Sequence, residues 1–226
     1  MLKIENAETY GWETAIRGMR NPMNSWDKSD SRWDNDIPGR FIIGPNDVKL
    51  MKTLGAAGND HGKFLRMIGA SLDIIAPLYW WKEFDTYKVG TVANSCSTMH
   101  KIAAKEFTLD DFSHEHLISW HDEKLRPGDF APIYWLKSLI CVLNENRKKF
   151  IETNDKDYWW QMIQLLPSSY NQRRTVMLNY AVLKNIYHAR RNHKLDEWHT
   201  FCDWIKELPF SELITMEEEK KNEQES

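Results

Sequence analysis

The chain is poor in cysteine: Cys96, Cys141 and Cys202 are the only three in 226 residues. Their odd number and the lack of any C-x-x-C spacing exclude a disulfide framework and a cysteine-built zinc centre, and no metal site is expected. No run of 18 apolar residues occurs, so no membrane-spanning helix is expected. The opening M-L-K-I-E-N-A-E-T-Y lacks the hydrophobic stretch of a secretory signal, and a cytoplasmic protein without a membrane partner is expected. Lys and Arg number 30 against 33 Asp and Glu, a net charge of −3. Such a balance creates no global pull toward nucleic acid, and no nucleic-acid-binding module is recognisable. No internal repeat is found. The biased segment at the end, M-E-E-E-K-K-N-E-Q-E-S, is charged and non-aromatic, and reads as a solvated tail.

What is present is a sizeable apolar content. Hydrophobic residues make up 42% of the chain, enough for one core, and the expected organisation is a single domain over residues 1–210 with a charged tail over 211–226. Eleven tryptophans stand out, with the pairs Trp80-Trp81 and Trp159-Trp160. Large aromatic side chains bury wide areas and anchor interfaces, so core packing and oligomer contacts are their expected use.

Local patterns predict an α+β fold, with several helices packed around a modest antiparallel sheet. A short helix is expected over residues 10–20. Asn46-Asp47 are expected to cap a helix through Leu54, closed by Gly55 and Gly58. Phe64–Ile75 mixes β-branched and apolar residues and reads as a strand. Pro77 then suits the first turn of a helix reaching Phe84. The small, polar run Lys88–Thr98 reads as a loop against a ligand. Thr108-Leu-Asp-Asp has the form of a capping box opening a helix. Beyond Pro127-Gly128, Ile133, Leu136, Ile140 and Leu143 keep helical spacing to about Phe150. Further helices are expected over Tyr158–Leu166, Arg173–His193 and Leu195–Leu208.

The Arg173–His193 stretch carries the richest chemistry. On a helix, 179→185 is about 600° and 185→190 about 500°, so Asn179 and Arg190 fall within roughly 20–30° of each other while Asn185 sits to one side. Arg suits bidentate contact with phosphate or a pyrimidine edge, and Asn both donates and accepts. Arg173, Arg174, His188, Arg191, His193 and Lys194 thicken the positive field there.

The order Leu166-Pro167, Ser169, Asn179, Leu183, Asn185, Ile186, Arg190 resembles the C-terminal nucleotide-binding segment of flavin-dependent thymidylate synthases. A second window, His61, Phe64-Leu65 and A-P-L-Y-W-W-K-E-F, resembles the upstream strand and helix of that family, with Lys82-Glu83 in place of its Arg-Gln. The resemblance implies that the fold is the thymidylate synthase-like α+β one. It further implies that Asn179 and Asn185 contact a flavin, that His61 lies near it, and that Arg190 sits against the uracil ring as the catalytic residue. By alignment, Lys88 and Asn94 join the FAD-binding set, and Glu83 and Ser97 join Arg190 on the nucleotide. FAD is the implied cofactor, methylenetetrahydrofolate and NADPH the co-substrates, a dUMP-like nucleotide the substrate, methyl transfer to its C5 the reaction, and a homotetramer the assembly.

The family's Arg-His-Arg signature is replaced by Thr86-Tyr87-Lys88, Cys96 stands on or beside the signature Ser, and Ile163 occupies the place of a phosphate-binding Arg. The losses leave open a non-catalytic relative that keeps the fold and binds nucleotide or flavin.

Overall fold

The computed structural model describes residues 1–126 and 128–217. The Pro127 break and the end of the charged tail lie outside the described residues. The α+β expectation holds: helices pack with a small antiparallel sheet. Four strands, β1 (Lys3–Tyr10), β4 (Gly69–Pro77), β5 (Thr91–Ser95) and β6 (Asn171–Asn179), form one sheet in the order β1-β4-β6-β5, while β2 (Arg32–Trp33) and β3 (Phe41–Ile42) make a separate antiparallel pair. The chain divides into two compact units, one of Met1–Ile4, Ile74–Thr86 and Asn94–Thr175, the other of Glu5–Asp73, Tyr87–Ala93 and Val176–Ser226.

In the first unit, the long helix α5 (Pro132–Thr153) packs against α6 (Lys156–Leu165). Pro132 opens α5 at a position where its missing N–H costs nothing. Leu136, Ile140 and Leu143, at helical spacing, bury against Ile102, Phe107, Phe112 and Met162. Trp80, Trp81 and Phe84 of α3 (Leu78–Phe84) are fully buried, with Trp80 stacked on Phe84 at 5.0 Å. That tryptophan pair is core; Trp160 is 40% exposed. The capping box at Thr108 is present, but it opens only a 3-10 turn over Leu109–Asp111.

In the second unit, α7 (Tyr180–Arg190) packs against α8 (Asp196–Glu207), α9 (Glu212–Thr215) and the 3-10 turn Gly62–Arg66. Trp198, Phe201, Ile205, Leu183, Ile186 and Ile214 supply buried apolar surface. Helix α1 (Trp12–Arg20) falls where expected, and α2 (Pro45–Ala56) extends a little beyond its expected span.

Further expectations are corrected. The first concerns the cap of α2. Asp47 is buried and accepts hydrogen bonds from Arg20 Nε (2.6 Å), Ser29 Oγ and Ser31 Oγ, while the carboxylate of Asp30 accepts from the N–H groups of Asn46 and Asp47. The cap is thus supplied from sixteen residues upstream. The second concerns Lys88–Thr98, which is not all loop, since β5 runs through it. The third concerns Arg173–His193. It is not one helix: its first part is strand β6, in which Val176 and Leu178 are buried while Thr175 and Met177 are exposed, the period of two of a strand with one covered face. The expected strand at Phe64–Ile75 is likewise shifted, to Gly69–Pro77 after the 3-10 turn.

Candidate functional site

Asn179 lies where β6 becomes α7, and its extended backbone (φ −116°, ψ 167°) makes it the N-cap rather than a helical residue. Its Oδ1 accepts from the N–H of Val182 at 3.0 Å. The helical-wheel pairing of Asn179 with Arg190 therefore dissolves, because the wheel begins one residue later.

The main cavity of the second unit, about 1050 Å³, opens beside this junction. Ala181, Lys184, Asn185, His188 and Arg191 line it from α7 and the residue after it, a spacing that defines one helix face. Asn179 and Val182 close its inner end, and Arg66 with Asn59 comes from the segment around the 3-10 turn. Val89 and Gly90 form another wall. Gly90 has φ +80°, and a Cβ there would stand 3.0 Å from Asn179 Nδ2 and 3.1 Å from Val182 Cγ2. Glycine is what lets this loop lie so close to the cap of α7.

The wall is strongly cationic. Lys184 is buried and donates from Nζ to the Gly55 carbonyl at 3.0 Å. His188 Nε2 donates to the carbonyls of Ile214 and Met216, both at 3.1 Å, which fixes the last turn of the described chain against α7. Arg191 pairs with Glu217 at 2.8 Å. The Arg191 hydrogen bond and charge hold the Glu217 carboxyl below its ordinary range, and Glu217 in turn raises Arg191. Arg66 is exposed.

Of the expected site residues, the structure brings Asn179 and Asn185 together in this cavity. His61, Lys88 and Arg190 belong to the same unit but not to that wall. His61 is exposed and precedes the 3-10 turn; Lys88 is exposed, next to Val89. Arg190 donates from Nε to Tyr87 Oη at 2.8 Å, and its guanidinium lies 4.9 Å from the ring centre of buried Trp198. Tyr87, standing in the replaced signature, is thus the partner of Arg190.

Glu83, Asn94 and Ser97 belong to the other unit. Glu83 is half-buried on α3 and Asn94 exposed on β5. Ser97 caps α4 (Thr98–Lys101), its Oγ accepting from His100 N. The backbone of Cys96 is tied to Arg173 and Gln172, with its side chain exposed. Arg174 lies 4.2 Å from the ring centre of Trp81 and pairs with Asp85. Sequence reasoning missed Arg66 and Lys184. The spacing 181, 184/185, 188, 191 would have found Lys184 once α7 was correctly begun; nothing local marks Arg66.

No protein-family model and no curated protein sequence matches the chain. Solved structures do match. A flavin-dependent thymidylate synthase ThyX of Helicobacter pylori, solved with FAD and dUMP, superposes with a TM-score of 0.66 at 15% identity, over 94% of this chain and 98% of that one. A UMP/dUMP methylase, PolB of Streptomyces cacaoi, solved with 5-Br dUMP, superposes with a TM-score of 0.60 at 13% identity, over 95% of each chain. The protein therefore has the fold of the flavin-dependent thymidylate synthases. Among the described residues, no helix is long and apolar enough to cross a membrane, and no group of His, Cys, Asp or Glu is arranged to hold a metal ion.

Proposed function

We propose that this chain is a divergent flavin-dependent thymidylate synthase-type protein that binds FAD in the cavity of the second unit and 5-methylates a deoxyuridine nucleotide. The observation that carries the reading is the meeting of Asn179 and Asn185 on one cationic cavity. Its volume of about 1050 Å³ stands at the upper end of small-molecule sites, as a dinucleotide requires. The donor set fits the group: amides for a ring edge or ribose hydroxyls, and guanidinium groups for a diphosphate.

When bound, the flavin supplies the redox chemistry, with methylenetetrahydrofolate as one-carbon donor and NADPH as reductant. The chain's share is to position and to neutralise. Asn185 offers a donor and an acceptor, while Asn179, with Oδ1 spent on Val182, offers its NH2. Arg66 and Arg191 supply positive charge in place of the lost Arg-His-Arg. Arg190 is assigned to the nucleotide and His61 and Lys88 to the cofactor, all within the second unit, and a homotetramer is the proposed assembly. Tritium release from 5-tritiated dUMP with reduced flavin and the folate tests turnover; its absence with flavin and dUMP both bound would overturn the methylation.

A second reading is favoured by one contact. Arg190, the residue assigned to ionise the pyrimidine, is held by Tyr87 and Trp198. A protein that binds flavin or nucleotide without turnover accounts for that arrangement, and on this reading a Tyr87→His variant gains no activity.

A further inference from the structure

We infer that Arg191, with Arg66, forms an anion subsite for the phosphate groups of a nucleotide ligand, and that Glu217 is its built-in competitor. The ligand class rests on the flavin-nucleotide reading above; the competitor does not. Both arginines line the cavity, and Lys184 and His188 add two further basic side chains to its wall. Glu217 is the single acidic side chain among the described lining residues. Its carboxylate takes the Arg191 guanidinium at 2.8 Å, the geometry in which a phosphate oxygen would be received.

The placement of Glu217 is built by the fold. Helix α9 packs on α7, and the His188 ring binds the carbonyls of Ile214 and Met216, two bonds that deliver residue 217 to the cavity mouth. Yet the carboxylate itself is 70% exposed and the guanidinium 39%. A pair so wet is worth little and exchanges readily. Lys184 differs: buried and bonded to a carbonyl, it supplies fixed positive charge rather than an exchangeable contact. The incoming phosphate then replaces one carboxylate on Arg191 and leaves the rest of the wall undisturbed, while the displaced Glu217 returns to water.

Calorimetric titration of the full chain with inorganic pyrophosphate tests this. Glu217→Gln is expected to bind it about three- to fivefold more tightly, as far as relief of so exposed a pair allows. Glu123→Gln, the same charge change at an exposed position of the other unit, should bind like the parent. Arg191→Ala should weaken binding in both the parent and the Glu217→Gln background. An E217Q affinity equal to that of E123Q, or pyrophosphate binding indifferent to R191A, overturns the subsite. A chain that behaves as expected with pyrophosphate but takes up no FAD keeps the subsite and loses the flavin reading. FAD uptake with no response to E217Q does the reverse.

Discussion

Two arginine–carboxylate pairs in the second unit share the same chemistry and differ in everything that decides their use. Arg20 and Asp47 meet at 2.6 Å with side chains 5% and 0% exposed, and every remaining group is answered: Arg20 donates to the carbonyls of Ser25 and Lys28, and Asp47 accepts from Ser29 and Ser31. Arg191 and Glu217 meet at 2.8 Å in the open. A buried, saturated pair holds segments in register, because removing one partner strands a charge away from water. An exposed pair at a cavity mouth holds nothing of comparable worth, and is free to exchange its anion. Identical residue types thus serve structure in one place and recognition in the other.

The sharpest way to break this contrast is Asp47→Ala. It leaves the Arg20 guanidinium buried and uncompensated and should cost about 3–5 kcal/mol in urea denaturation; a loss as small as that of a surface substitution would contradict the structural role. The same pair carries a pH signature. Burial alone would raise the Asp47 carboxyl, but hydrogen bonds from Ser31, Ser29 and Arg20 outweigh it and hold the group below its ordinary value. A depressed folded value means the stabilisation is fully present above the unfolded value of about 4 and is lost as pH falls through the folded one. Asp47→Asn should flatten that acid limb, seen as a smaller drop in melting temperature between neutral and acidic buffer.

Next in size is Arg190→Ala. It removes a charged hydrogen bond to Tyr87 and the contact with Trp198, and should cost about 2 kcal/mol. A loss near zero would mean that Arg190 is not clasped in solution.

Smaller still is the cap. Asn179→Ala should cost about 1 kcal/mol, whereas Asn179→Asp keeps the acceptor for Val182 and so keeps stability. If Asn179 also serves the cavity, the Asp variant remains as stable as the parent yet binds flavin more weakly, because it exchanges an NH2 donor for a second carboxylate oxygen. Equal loss of stability in both variants would show that the cap bond to Val182 is not what the side chain contributes. At the far end of the scale, Glu217→Gln should leave the denaturation midpoint where it was.

These pairs also show what a sequence reveals. Helix α5 was legible because Ile133, Leu136, Ile140 and Leu143 keep helical spacing beyond Pro127-Gly128. The junction at Asn179 was not. Q-R-R-T-V-M-L-N is rich in good helix formers, and its alternation at Val176 and Leu178 is too short to outweigh them without the neighbouring strands. With the strand read as helix, Asn179 and Arg190 were placed on one face, and Lys184 went unnoticed. Asp47 was misjudged for a related reason. A carboxylate near a helix start reads as a cap, whereas its partners Arg20, Ser29 and Ser31 are assembled by tertiary structure, as is the actual cap from Asp30. The resemblance carried by Asn179 and Asn185 did lead to a shared cavity; it could not foresee that Tyr87 would take Arg190.

The most direct test of flavin binding in this cavity is the visible absorbance of the purified chain after incubation with FAD and removal of the excess by gel filtration. Flavin absorbance should travel with the protein, and be lost in Asn185→Ala, an exposed cavity residue whose replacement should not disturb folding. A colourless protein, or one that keeps its flavin equally well without Asn185, would contradict that binding.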